Sequence, residues 1–103
     1  MGTPKHLSAY GREEEILLRA LESERGVAVE FASKGLATHF RQRVNAFRVL
    51  LRKQSTTIYQ PEDEAYNKSQ FDHLLLSLPM QVGTTETWQI NITRGKPVRV
   101  IEL

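Results

Sequence analysis

Six polar residues recur at helical spacing in the middle of the chain. On an α-helix their spacing places them on one face. They are Lys34, Thr38, Arg41, Asn45, Arg48 and Arg52. Such a helix presents guanidinium groups about 5 to 6 Å apart along its axis, on the order of the phosphate spacing of a nucleic-acid strand. Because the guanidinium fork bonds phosphate oxygens at two points and stacks on bases, the stripe predicts nucleic-acid binding.

The distribution of charge supports the same interpretation. The formal net charge is only +2, yet residues 26–53 contain six basic residues against the single acid Glu30. A local positive field of this kind favours an anionic partner. The predicted binding residues therefore include Arg43 and Lys53 of this segment as well as the stripe. The polar face of the predicted sheet is a second candidate surface, which adds Arg99 and, at the tip of its hairpin, Arg94 and Lys96. Since the stripe arginines lie off the apolar face, their replacement by glutamine is expected to leave the fold intact.

Aromatic side chains that could stack on bases follow the long helix. Tyr59, Tyr66 and Phe71 are the candidates, because Trp88 falls on the apolar side of its strand and is expected in the core. The aromatic-rich strands of an RNA-recognition motif are missing. A strand separates the two predicted helices, which does not fit helix-turn-helix recognition of duplex DNA. The sequence therefore predicts largely sequence-independent binding of single-stranded DNA or RNA.

Two other interpretations of the stripe remain open. The stripe could be the solvated flank of an amphipathic helix, paired with the acidic residues Glu62, Asp63 and Glu64. Alternatively, it could dock on an acidic partner protein, which would make the chain an inhibitor or adaptor.

Catalytic chemistry has no support in the residue pattern. The three histidines, His6, His39 and His73, form no i,i+4 pair, and no cysteine is present to complete a metal site. Asp72 and His73 are adjacent, so on a strand they point to opposite faces. No glycine-rich phosphate loop is found. We expect no enzymatic activity, no metal and no cofactor.

The elements that position these residues alternate between helical and strand periodicity. Helices are predicted over 12–25 and 34–53, with Ser33 as N-cap of the second and Gly26 as C-cap of the first. Strands are predicted near 27–32, 73–78, 86–93 and 97–102, and 55–70 is predicted to be a polar connection. The predicted class is α+β: a small mixed or antiparallel sheet of about four strands, covered on one face by the long helix, with a shorter N-terminal helix.

The core is predicted from the apolar residues of the same elements. The long helix contributes Leu36, Phe40, Val44, Phe47 and Leu51, and the strands contribute Trp88, Ile90, Val98 and Val100. The opposite sheet face is predicted to be polar, with Thr87, Gln89, Asn91, Thr93 and Arg99 pointing outward. Residues 1–9 are expected to form a flexible arm, and residues 10–103 a single domain.

Composition predicts the environment of the protein and its assembly. The longest apolar run, residues 74–76, is far shorter than the roughly 20 residues of a membrane span, and the N-terminus lacks the pattern of a signal peptide. We expect a soluble cytoplasmic protein that does not contact membranes, of a character common among small phage and bacterial regulatory proteins. The first helix is rich in Ile16, Leu17, Leu18 and Leu21, and this apolar surface predicts a homodimer or larger oligomer.

Overall fold

The described part of the chain, residues 5–95, folds into helices over one face of a sheet in a computed structural model. A 3-10 helix, Leu7–Tyr10, precedes the other elements. These are α1 (Gly11–Glu22), β1 (Val27–Phe31), α2 (Lys34–Ile58), β2 (Leu74–Leu76), β3 (Met80–Gln81) and β4 (Trp88–Arg94). The predicted α+β class is confirmed. The predicted strand near 97–102 lies outside the described residues, and so do Val98, Val100, Lys96 and Arg99.

β4 is the central strand of an antiparallel sheet. β1 lies along one side of it, with Val27 opposite Ile92, and β2 and β3 follow one another along the other side. Because side chains alternate along a strand, Ile90 and Ile92 share one face, and both are fully buried beneath the helices. Gln89 and Asn91 share the other face, where the two amides bond to each other at 2.7 Å.

The centre of the core is aromatic. α1 contacts β4 and β2, and α2 contacts β1 and β4. Between these elements the ring of Phe47 stacks on Tyr10 at 5.4 Å and lies 5.9 Å from Phe71, and all three side chains are fully buried. The prediction that Phe71 stacks on bases is therefore wrong, because this ring is inaccessible.

The predicted apolar stripe of α2 is confirmed in its middle and wrong at its first position. Phe40, Val44 and Phe47 are buried as expected, and Leu51 is half-buried against the core. Leu36 is 54% exposed. It lies on the first turn of α2, beside an open cleft, where no element of residues 5–95 covers it fully.

α1 ends at Glu22, earlier than predicted. The Ser23 hydroxyl donates to the carbonyl oxygen of Gly26 at 2.8 Å and organises the turn that follows. Gly26 has φ +82°, and a β-carbon at this position would lie 2.2 Å from the carbonyl oxygen of Ile92. The glycine therefore permits close approach to β4 instead of capping the helix.

α2 begins at its predicted cap and extends beyond its predicted end. The Ser33 hydroxyl accepts a hydrogen bond from the Leu36 amide at 3.1 Å, which confirms the N-cap. The helix then continues through Ser55, Thr56 and Thr57, which were predicted to lie in the polar connection. Their hydroxyls donate to the carbonyl oxygens three residues earlier, at 2.6 to 2.7 Å, so these polar side chains are satisfied within the helix.

The strand predicted near 73–78 is shorter in the structure, where β2 ends at Leu76, and the short strand β3 that follows it was not predicted. At Ser77 the hydroxyl oxygen, instead of a backbone carbonyl, accepts the hydrogen bond of the Asn91 amide at 2.9 Å. This side-chain hydrogen bond interrupts the backbone pairing of the two strands, and Leu78, the next residue, is 70% exposed. Pairing resumes at Met80, opposite Gln89.

The apolar side of α1 packs within its own chain. Leu17 is fully buried, Ile16 and Leu21 are half-buried against the core, and Leu18 is the more exposed member of the set. The apolar surface of α1, from which self-association was predicted, is therefore largely buried inside the subunit. Self-association stays a prediction.

Candidate nucleic-acid interface

α2 distributes its basic residues between two sides. Arg41 and Arg43 are two positions apart and so point in nearly opposite directions around the helix. Arg43 faces α1, where it pairs with the buried Glu13 and donates to the Ala9 carbonyl oxygen at 2.6 Å. Its guanidinium also lies 4.8 Å from the ring centre of Tyr10. The hydrogen bond to Glu13 raises the pKa of Arg43. Arg43 thus fastens the N-terminal elements to α2.

Arg48 lies on the opposite side and is held by three acceptors. Its Nη1 donates to the carbonyl oxygens of Phe71 at 3.2 Å and Leu74 at 2.9 Å. Its Nη2 donates to Asn45 Oδ1 at 2.9 Å. Asn45, predicted to contact nucleic acid, therefore orients Arg48. The guanidinium is fixed in position while part of its fork remains unused.

Arg52 is oriented by a carboxylate. Its Nε and Nη2 lie 3.0 and 2.8 Å from Asp72 Oδ1. Asp72 also accepts from the Ser69 amide at 2.9 Å and hydroxyl at 3.0 Å. Asp72 was not predicted from the sequence to pair with Arg52. Ser69 and Asp72 match the capping pattern in which an acid follows a serine by three residues, and this spacing could have indicated that Asp72 is held in place.

Arg41 completes a group of three cations. Its Nε is buried and has no hydrogen-bond partner among residues 5–95. Burial lowers the pKa of Arg48, and the positive charges of Arg52 and Arg41 lower it further, opposed by Asp72. Arg41 and Arg52 thus both act electrostatically on Arg48, and Asp72 pairs with Arg52 and acts on Arg48. We call Arg41, Arg48 and Arg52 the arginine cluster.

The acidic residues after α2 do not neutralise this cluster. In the part of the chain that the structure describes, the ion pairs are Arg19–Glu15, Arg43–Glu13 and Arg52–Asp72. Asp63 instead accepts a hydrogen bond from the Gln60 amide at 3.1 Å. Pairing of α2 with residues 62–64 is thus not observed.

Three other predicted binding residues, Lys34, Lys53 and Arg94, belong to the described part of the chain. Lys34 Nζ lies 5.6 Å from the ring centre of the half-buried Trp88. Lys53 is exposed on α2, and Arg94 is exposed at the end of β4. Of the two tyrosines, Tyr59 is exposed and Tyr66 is half-buried.

A cleft of about 450 Å³ lies on the other side of α2, towards α1. Its lining combines Arg12, His39 and Arg43 with Glu13 and Glu30. Since basic and acidic groups are mixed here and Arg43 is paired, this cleft lacks the excess positive charge of the arginine cluster.

Comparison with known proteins gives no independent indication of function. No protein-family model, curated protein or solved structure matches the chain. Within residues 5–95, no cluster of three or more histidine or acidic side chains is arranged to hold a metal ion. Among the described helices, none combines the length and apolar character needed to cross a membrane. Function is therefore inferred from the arginine cluster and its surroundings.

The Asp72 carboxylate gives stability a specific pH dependence. Burial alone would raise the pKa of Asp72, but hydrogen bonds from Arg52 and Ser69 bring it below its ordinary value of 3.8. A carboxyl group whose pKa is lower in the folded than in the unfolded protein stabilises the fold at pH values above its ordinary pKa. This contribution to stability is lost as the pH falls through the pKa of the folded state. Asp72→Asn is expected to destabilise the protein at about pH 7 and less at about pH 2, well below the ordinary pKa. Urea unfolding of both proteins at the two pH values measures this, and an equal difference at both would contradict it.

Proposed function

We propose that this protein binds the phosphate backbone of nucleic acid through the arginine cluster, largely independently of sequence. The observation that carries the proposal is the position of Arg41, Arg48 and Arg52 on one side of α2, where Arg52 alone of the three forms an ion pair within residues 5–95. Arginine forks suit phosphate oxygens, because they donate two parallel hydrogen bonds with full charge assistance.

Preorganisation supports this proposal. Arg48 and Arg52 are held by Phe71, Leu74 and Asp72 before any ligand arrives. A phosphate group would therefore meet cations whose side-chain entropy has already been reduced by folding. Each guanidinium has five N–H groups, so the intramolecular bonds leave donors for a ligand.

The same contacts change how the cluster should be tested. Replacing Arg48 or Arg52 by glutamine removes bonds to segment 69–74, so the sequence-based expectation of an unaffected fold does not hold for these two positions. Arg41 has no such role, and its Nε lacks a partner among the described residues. Arg41 is therefore the cleaner site for a test.

Arg41→Gln is expected to weaken binding of a single-stranded oligonucleotide about tenfold at low salt, as for loss of one charge-assisted contact worth about 1.5 kcal/mol. The slope of log affinity against log salt should decrease in magnitude by about 0.7, because one phosphate contact is lost. Fluorescence anisotropy across a salt series measures both quantities, with several unrelated oligonucleotide sequences showing the same loss.

Arg19→Gln is the matched control. It removes the same charge from an exposed position on α1, where Arg19 pairs with Glu15 at 3.0 Å. This variant should bind like the wild type. If wild-type protein binds no oligonucleotide even at about 50 mM salt, the proposal is wrong, and an acidic protein becomes the partner to seek for the arginine cluster.

A further inference from the structure

A second cleft lies at the C-terminal end of α2, next to the arginine cluster. It encloses about 200 Å³ between the last turns of the helix and segment 68–70. Apolar or aromatic side chains line one part of it, and amides with an ammonium group line the other. These residues are Leu51, Ile58, Tyr59, Gln54, Gln70 and Lys68.

The walls of this cleft are fastened together by Ser55. The buried Ser55 hydroxyl accepts a hydrogen bond from the Lys68 amide at 3.1 Å. The Ser55 carbonyl oxygen accepts from the Tyr59 amide at 2.9 Å. The backbone on both sides of the cleft is thus anchored to one residue of α2, which gives the cleft a defined shape.

The chemistry of the lining suits a flat heterocycle attached to an anion. Tyr59 is 43% exposed and Ile58 64% exposed, so an accessible ring and an apolar side chain border the cleft. The amides of Gln54 and Gln70 can each donate and accept hydrogen bonds. Lys68 adds a positive charge. A nucleobase presents a face for stacking and an edge with donors and acceptors, and its phosphate complements the lysine.

The cleft is linked to the arginine cluster through side-chain contacts. Ser69, in the wall formed by segment 68–70, bonds to Asp72, and Asp72 in turn pairs with Arg52. Arg52 and Tyr59 are about two helical turns apart, or roughly 10 Å along the axis of α2. One nucleic-acid strand could therefore place a phosphate on Arg52 and a neighbouring base at Tyr59.

We infer that this cleft receives one unstacked base of a single strand whose phosphates bind the arginine cluster, an inference that rests on the proposed function. The base would stack on Tyr59, and the strand would run from there along α2 towards Arg41. The acidic residues Glu62 and Glu64 follow Tyr59 closely in the sequence. Their charge repels phosphates and so disfavours a strand that leads away from α2 beyond Tyr59. Duplex DNA keeps its bases stacked, so the cleft selects single strands.

The experiment compares two single-stranded probes of equal length, oligothymidylate and an abasic phosphodiester strand. Wild-type protein should bind oligothymidylate about 5-fold to 150-fold more tightly, the range expected for stacking of one base on an aromatic ring. Tyr59→Ala should abolish this preference while leaving affinity for the abasic strand unchanged. Tyr59→Phe, which keeps the ring, should retain most of the preference. Circular dichroism and the emission of Trp88 verify that each variant is folded.

The possible failures are distinguishable. If folded Tyr59→Ala retains the wild-type preference, or if wild type binds both probes equally, the base site is wrong while backbone binding by the arginine cluster stands. If wild type binds neither probe at low salt, the proposed function and the base site both fail. Arg41→Gln serves as the internal comparison, because it should weaken binding to both probes by the same factor.

Discussion

Replacing Phe47 by alanine is expected to lower the free energy of unfolding by about 3 to 5 kcal/mol. Phe47 is fully buried between Tyr10 and Phe71, so truncation leaves a cavity at the point where the 3-10 helix, α2 and the segment before β2 meet. Such a loss is a large share of the about 5 to 15 kcal/mol that stabilises a typical domain. Urea unfolding followed by circular dichroism measures the change.

Leu36→Ala provides the matched comparison on the same helix. Both positions belong to the apolar stripe read from the sequence, yet Leu36 is largely exposed. Its truncation should change the free energy of unfolding by less than about 1 kcal/mol. Similar losses for the two variants would show that the observed orientation of α2 is incorrect.

Arg43→Met is expected to cost about 3 to 5 kcal/mol, because it leaves the Glu13 carboxylate buried without its cation. The variant also removes the hydrogen bond to the Ala9 carbonyl oxygen, which ties the 3-10 helix to α2. Arg19→Met makes the same chemical change in the exposed pair with Glu15 and should cost no more than about 0.5 kcal/mol. Thermal or urea unfolding separates the two variants readily.

A double variant distinguishes an unpaired charge from lost packing. Combining Glu13→Leu with Arg43→Met replaces the ion pair by two apolar side chains, an exchange that is often neutral. Stability should therefore recover by about 2 kcal/mol or more relative to Arg43→Met alone. If the double variant is as unstable as the single one, the cost comes from packing and from the Ala9 contact instead.

The sequence predicted the parts of the fold that depend on local periodicity. Spacing alone identified α2, its N-cap Ser33 and the buried residues Phe40, Val44 and Phe47. The same periodicity failed at Leu36, since it defines a helix face but not where the neighbouring elements end. It failed again at Ser55, because a hydroxyl that bonds to its own helix has the same sequence appearance as one in a loop.

The candidate site was less predictable, because its geometry depends on distant residues. Arg48 donates hydrogen bonds to the carbonyl oxygens of Phe71 and Leu74, which follow it by more than twenty positions in the chain. Arg52 pairs with the carboxylate of Asp72. That residue lies where the sequence pattern predicted only the end of a loop and the start of a strand. Spacing on α2 placed the arginines on one side, whereas only the tertiary structure shows that two of them are anchored and that Arg41 is not.

The pairing order of the sheet has a consequence for synthesis of the chain. β1, β2 and β3 each pair with β4, which is the last of the described strands to leave the ribosome. Val27 of β1 therefore cannot pair until Ile92 of β4 has been synthesised. These two residues are 65 positions apart, which at about 5 to 20 residues per second corresponds to roughly 3 to 13 s of translation. From the point at which Ile58 has been added, α2 is complete, but Phe47 and its neighbours lack β4 as a packing partner until that strand follows. The nascent protein therefore exposes an amphipathic helix and unpaired strands until β4 has been synthesised, which makes this the period of greatest need for a chaperone.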